Sequence, residues 1–141
     1  MTAVENHGAL VRLSWGPAPD GIATASPLLL RTARELQEYF QGGRRAFTLP
    51  VAPEGTAFQQ AVWRALLEIP CGTTVAYGEL ARNLGRPGAA RAVGMACHSN
   101  PIAIVIPCHR VVGAHGALTG YAGGLVLKRR LLELECALPV N

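Results

Sequence analysis

No stretch of this 141-residue sequence approaches the roughly 18 consecutive apolar residues of a membrane span, so the chain is not expected to cross or enter a membrane. The N-terminal MTAVENHGALVRLSWG has neither a basic leading region nor a long apolar one, which argues against secretion and for a soluble, cytoplasmic protein. There is no C-x-x-C or H-x-x-x-H pair, and Cys97-His98 and Cys108-His109 are adjacent residues that rarely ligate one ion, so no metal and no cofactor is expected. Four cysteines (Cys71, Cys97, Cys108, Cys136) raise a two-disulfide framework, but a chain that is 50% hydrophobic needs no staple. The length allows one core, or one core with a small appended lobe, and excludes two full-sized domains. A net charge of +4 is a modest excess that suits an anionic partner without proving one.

What is present reads as an α/β (α+β) chain. Residues 9–15, ALVRLSW, alternate apolar and polar positions and predict a half-buried strand ending at Gly16-Pro17. A polar turn, APDGIATAS, follows. Ser26 before Pro27 is an N-cap with proline at the first helical position, and Leu29, Leu30, Ala33, Leu36, Tyr39 and Phe40 recur at helical spacing up to Gly42-Gly43. Residues 44–55, with two prolines and a glycine, read as a linker between a small N-terminal lobe (1–52) and the main domain (53–141). A helix from Thr56 carries Phe58, Val62, Leu66 and Ile69 on one stripe. The segments 77–84 and 89–97, separated by GRPG, have the layout of a helix-turn-helix. PIAIVIP (101–107) predicts a buried extended segment delivering Cys108 and His109. GAHGALTGYAGG suits a hairpin or wing, and LVLKRRLLELE a final amphipathic helix.

A thiol is a strong nucleophile only as a thiolate, and a cysteine emerging from an apolar segment has its pKa raised unless a base or cation offsets it. His109 is the candidate base, reached through a turn or one intervening water, because neighbours on an extended chain point to opposite sides. Glu135 or Glu133 from the last helix is positioned to hold its imidazole. On these residues alone, an inert buried Cys108 beside a surface histidine is the favoured reading, because free cysteines are among the most buried residues and are usually unreactive.

The motif PCHRV within PIAIVIPCHRVV resembles the active site of the O6-alkylguanine-DNA alkyltransferases. The likeness runs from about Leu28 to Glu135 through FQQAVWRALLEIP, YGELA, ARAVGMACHSNP, TGYAGG and LVLKRRLLELE, in the family's order and spacing. The resemblance implies a small α/β lobe followed by a mostly helical, winged helix-turn-helix-like domain. It implies one-step transfer of an alkyl group from O6-alkylguanine, with O4-alkylthymine a further substrate, to Cys108. His109 would accept the thiol proton through a water, with Glu135 orienting it, Tyr77 giving a hydrogen bond or proton to the guanine, and Asn100 tying down the active-site turn. Arg91 would enter the DNA stack in place of the extruded nucleotide. Ala90, Ala92 and Gly94 are small enough for close approach to the minor groove, about 6 Å wide. Tyr121 and Ala122 match the loop over the alkyl pocket, and Arg110 is counted with the DNA-contacting residues. Base flipping is required because O6 of a stacked guanine is closed to in-line attack by a buried thiol. The implied partner is double-stranded DNA bound by a monomer, and each molecule acts once.

The sequence departs from the family at two places. Only eight residues precede ALVRLSW, where relatives carry a strand pair and in some cases metal ligands, so the lobe is expected to lack edge strands and leave a sheet edge open. Ala122 stands where some relatives have serine, which replaces or removes one hydrogen bond to the base. A non-reactive alkyltransferase-like protein that only flags damaged bases is the alternative, disfavoured because Cys108 is kept. A plain helix-turn-helix regulator leaves PCHRV unexplained.

Overall fold

The computed structural model describes residues 1–17 and 26–138; most of the polar turn expected after Gly16-Pro17 lies outside them. Strands β1 (Thr2–Asn6) and β2 (Ala9–Ser14) pair antiparallel around His7 and Gly8, both with positive φ, as a two-residue hairpin loop requires. The expectation of a lobe without edge strands is therefore corrected. The eight residues ahead of ALVRLSW hold a full strand because Ala3 and Val4 meet Leu13 and Arg12 across the hairpin. The far edge of β2 is covered, since Leu10 bridges Val51 and Leu13 bridges Ile102, whereas the outer edge of β1 pairs with no other strand among the described residues, so the open sheet edge expected from the sequence remains there.

Helix α1 (Pro27–Phe40) starts where Ser26 Oγ accepts from Leu29 N at 3.1 Å, and proline at the first position loses no intrahelical bond. Residues 44–55, expected as a linker, contain no helix but are firmly held. The buried Glu35 of α1 accepts from Thr48 N at 2.9 Å and from its hydroxyl at 2.5 Å, and Leu10 bonds Pro50 and Ala52. Helix α2 (Ala57–Leu67) carries a capping box between Thr56 and Gln59 and buries Val62, Trp63 and Leu66. Strand β3 (Val75–Ala76) leads into α3 (Tyr77–Asn83), and α4 (Ala90–His98) follows the GRPG turn, so the helix-turn-helix expected from the sequence is present. Trp63 Nε1 donates to Ala96 O at 2.9 Å and ties α2 to α4. Strand β4 (Val111–Val112) pairs parallel with β3, and α5 (Leu125–Leu134) closes the described chain.

One cluster of buried side chains runs through both halves of the sequence, from Leu10 and Leu13 through Val62 and Leu66 to Ile102, Ile106 and Val111. The hairpin thereby buttresses the segment that carries Cys108. Leu13 donates to Pro101 O and accepts from Ala103 N, each at 2.9 Å.

Two expected elements take other forms. Residues 101–107 are buried as the apolar run implied, but they coil rather than extend. Proline removes a backbone donor at 101 and 107, Asn100 offers local hydrogen bonds, and Ile104 is turned to φ 70. Residues 113–124 form no hairpin: a short turn at Ala114–Gly116 and irregular loop take its place, held by Gly113 N to Ala117 O at 2.7 Å.

Candidate active site

The turn before Cys108 is fastened by one side chain. Asn100 Oδ1 accepts from Ile102 N at 3.0 Å and its Nδ2 donates to Ile106 O at 2.8 Å, replacing backbone partners that the coiled segment cannot supply itself. Cys108 then opens a tight 3-10 turn, Cys108–Arg110, with its N–H on Ile106 O at 2.8 Å. At three residues per turn, neighbouring side chains are about 120° apart rather than the roughly 180° of a strand, so Cys108 and His109 do not point in opposite directions. Burial pushes the Cys108 thiol up, and the Asn100 side chain and the Lys128 ammonium oppose that.

Behind the cysteine lies a buried polar cluster centred on Glu135, at the C-terminal end of α5. Its carboxylate meets His109 Nε2 at 2.7 Å and accepts from Arg110 Nε at 2.9 Å, Arg110 Nη2 at 3.0 Å and the Tyr39 hydroxyl at 2.5 Å. Burial alone would raise this carboxyl, but the hydrogen bonds from His109 and Arg110 outweigh it and hold the group at about 2. A carboxylate kept ionised only accepts, so His109 donates through Nε2–H, and its Nδ1 is left with a lone pair. Nδ1 is buried and has no hydrogen-bond partner among the described residues. Burial also lowers the His109 pKa, which keeps the ring neutral and ready to take a proton.

Arg110, expected among the DNA contacts, belongs to this cluster instead. It is 7% exposed, and besides the carboxylate its Nη1 donates to Ile69 O at 2.7 Å. An arginine inside PCHRV has no sequence mark that separates a buried counter-charge from a phosphate contact. Tyr39 was legible only as a helix-face aromatic; its hydroxyl role depends on α1 lying against the end of α5.

Cys108 forms part of the wall of a cavity of about 900 Å³. Tyr77, Ala90, Arg91, Gly94, Tyr121 and Ala122 border the same space, whereas Ala92 is exposed on α4 and does not. His109, Glu135 and Asn100 stand behind the wall. A Cβ at Gly94 would lie 3.8 Å from the Tyr77 ring, so the two helices of the helix-turn-helix nearly touch across this glycine. Tyr77 Oη reaches Thr119 O at 3.4 Å, and Trp15 Nε1 donates to Tyr121 Oη at 3.4 Å.

Sequence reasoning also missed a buried cation at the site. Lys128 of α5 is fully buried and its ammonium donates to Val111 O at 2.6 Å, Thr119 O at 2.8 Å and Gly120 O at 3.3 Å. It sits 5.7 Å from the Tyr77 ring centre and has no carboxylate partner among the described residues. In the sequence it is one charge of the basic triplet Lys128-Arg129-Arg130 on an amphipathic helix, and only the packing shows it facing inward. The second thiol at the cavity, Cys97, is pushed up to about 12, chiefly by burial. All four cysteines are free, and among the described residues no three His, Cys, Asp or Glu side chains converge as a metal would need.

A histidine backed by a carboxylate, a thiol in the wall of a cavity, and a helix-turn-helix on the rim are the parts of a nucleophilic site that faces a nucleic acid. Residues 57–137 match the family described as 6-O-methylguanine DNA methyltransferase, DNA binding domain. The chain belongs to this family. It is 53% identical over 117 residues to a methylated-DNA--protein-cysteine methyltransferase of Methanosarcina acetivorans, covering 83% of this chain and 75% of that one. A protein of the same name from Mycobacterium tuberculosis is 52% identical over 124 residues, which cover 88% of this chain and 71% of the relative. Two further Methanosarcina relatives are spanned over 65% of their length. Among solved structures, the crystal structure of Mycobacterium tuberculosis OGT in complex with DNA superposes with a TM-score of 0.84 at 45% identity, over 96% of this chain and 85% of the other. The methyltransferase family thus accounts for the α/β architecture and for a fold shared with a DNA-bound relative.

Proposed function

We propose that this protein repairs DNA by direct reversal, moving the alkyl group from O6 of guanine in duplex DNA onto Cys108. The observation that carries this reading is the buried His109–Glu135 pair at 2.7 Å with Nδ1 left free, one residue from a thiol in the wall of a base-sized cavity. His109 takes the Cys108 proton through a water, and the sulfur attacks the alkyl carbon as the carbon–O6 bond breaks. Tyr77 gives a hydrogen bond or proton to the departing base, so that neutral guanine is released. The thioether that forms has no good leaving group, and each molecule reacts once.

Arg91, exposed on α4 at the cavity rim, fills the space of the flipped nucleotide. Ala90 and Gly94 let the helix approach the minor groove. Tyr121 and Ala122 close over the alkyl group, and O4-alkylthymine is a second substrate. We assign the reaction to residues 53–141 and a buttressing role to 1–52. No helix among the described residues is long and apolar enough to cross a membrane. Four free thiols suit a reducing compartment, and we place the protein, as a monomer, in the cytoplasm. The non-reactive alternative finds no support in a chain that keeps Cys108.

Intact-protein mass after mixing with an oligonucleotide containing O6-methylguanine tests the assignment. One methyl adduct on the wild type and none on Cys108→Ala is expected; an unmodified wild type, or a methylated variant, refutes it.

A further inference from the structure

Helix α4 presents a nearly flat outer surface, because Ala90, Ala92 and Gly94 carry little or no side chain. Arg91 and Met95 break that surface, and at a spacing of four residues they stand on one face. Met95 is 69% exposed, while Val93, Ala96 and Cys97 of the same helix are buried, so Met95 makes no contribution to the core. It also borders the cavity that holds Cys108, whereas Leu125 and Val126, exposed apolar residues of α5, do not. An unbranched apolar side chain thus projects from the rim of the base cavity, one helical turn beyond the arginine.

We propose that Met95 is a second positioning residue for duplex substrates, entering the minor groove beside Arg91 and packing against the base step next to the extruded nucleotide. This rests on the alkyl-transfer reading above. One turn of helix advances about 5.4 Å, and successive bases on a strand about 3.4 Å, so the two side chains reach levels one to two base pairs apart. The groove, about 6 Å wide, admits a flexible thioether, and apolar wedges between base steps unstack them and favour the flipped state. Arg91 fills the position left by the base. Met95 lowers the cost of emptying it.

The test compares Met95→Ala and Met95→Leu with wild type on two substrates, O6-methylguanine in a duplex and free O6-benzylguanine. A 2-aminopurine next to the lesion reports unstacking. Met95→Ala is expected to repair the duplex about tenfold more slowly, equivalent to about 1.4 kcal/mol, and to brighten the 2-aminopurine less. It should react with the free base within about twofold of wild type, because no base step has to open. Met95→Leu, which keeps the apolar bulk, should restore most of the duplex rate. Equal duplex rates for wild type and Met95→Ala, or equal losses on both substrates, would overturn the wedge and leave the alkyl-transfer reading standing. A wild type that reacts with neither substrate overturns both.

Discussion

Replacing Glu135 with glutamine is the most informative single change in the buried cluster. The carboxylate is 1% exposed and accepts from Tyr39, from His109 and twice from Arg110. Glutamine keeps one acceptor oxygen but turns an amide donor toward a donor, and it leaves the buried Arg110 without a counter-charge. A carboxyl held at about 2 instead of its ordinary 4.5 contributes about 3 kcal/mol to folding. That agrees with the roughly 3–5 kcal/mol lost when one partner of a buried ion pair is removed. Because the folded-state value is depressed, this contribution is complete above pH 4.5 and is lost as pH falls from there toward 2. His109, also lowered, acts in the same direction: below about 6.5 the unfolded chain takes up a proton that the folded chain does not, so stability begins to fall there. Urea unfolding of wild type and Glu135→Gln at several pH values measures both effects. The gap should be about 3 kcal/mol at pH 7 and narrow below pH 4.5. A gap under about 0.5 kcal/mol at pH 7, or one independent of acid, would mean that the Glu135 carboxylate does not hold the cluster together.

Other perturbations probe the remaining parts. Lys128→Met should shift the pH profile of Cys108 carboxymethylation upward, because the ammonium that opposes the burial of the thiol is gone, while Lys128→Arg keeps its position. Asn100→Ala removes both bonds that fasten the active-site turn and should lower unfolding free energy by about 2 kcal/mol, read from denaturant midpoints. Gly123→Ala would place a Cβ 2.7 Å from Leu127 Cδ2 and 3.0 Å from the Tyr121 ring, so a lower melting temperature and slower reaction with bulky alkyl groups are expected. Arg91→Ala should slow duplex repair far more than reaction with free O6-benzylguanine; equal losses would count against its role in flipping.

The helices were legible because each announces itself locally: Ser26-Pro27 starts α1, the Thr56–Gln59 box starts α2, and the glycines of GRPG separate α3 from α4. Strand β1 was missed because five residues with two charged or amide side chains carry little pattern before β2 supplies their partners. The segment 101–107 shows the limit of composition. Its apolar run foretold burial correctly, but whether a buried run extends or coils was decided by Asn100 and the two prolines. Within the site, Cys108, His109 and Asn100 are close in sequence and could be read together. The inward turn of Lys128, the Tyr39 hydroxyl and the capture of Arg110 by Glu135 depend on contacts 17 to 96 residues apart, which no local pattern encodes.

If the alkyl group is transferred as proposed, Cys108 is its destination. A duplex carrying O6-methylguanine with an isotopically labelled methyl, mixed with excess protein and followed by peptide mass analysis and nucleoside composition, tests it most directly. One labelled methyl per lesion is expected on the peptide containing Cys108, with unmodified guanine restored in the DNA. Label on Cys97 or on no peptide, or label lost to solvent with the protein unchanged, would contradict it.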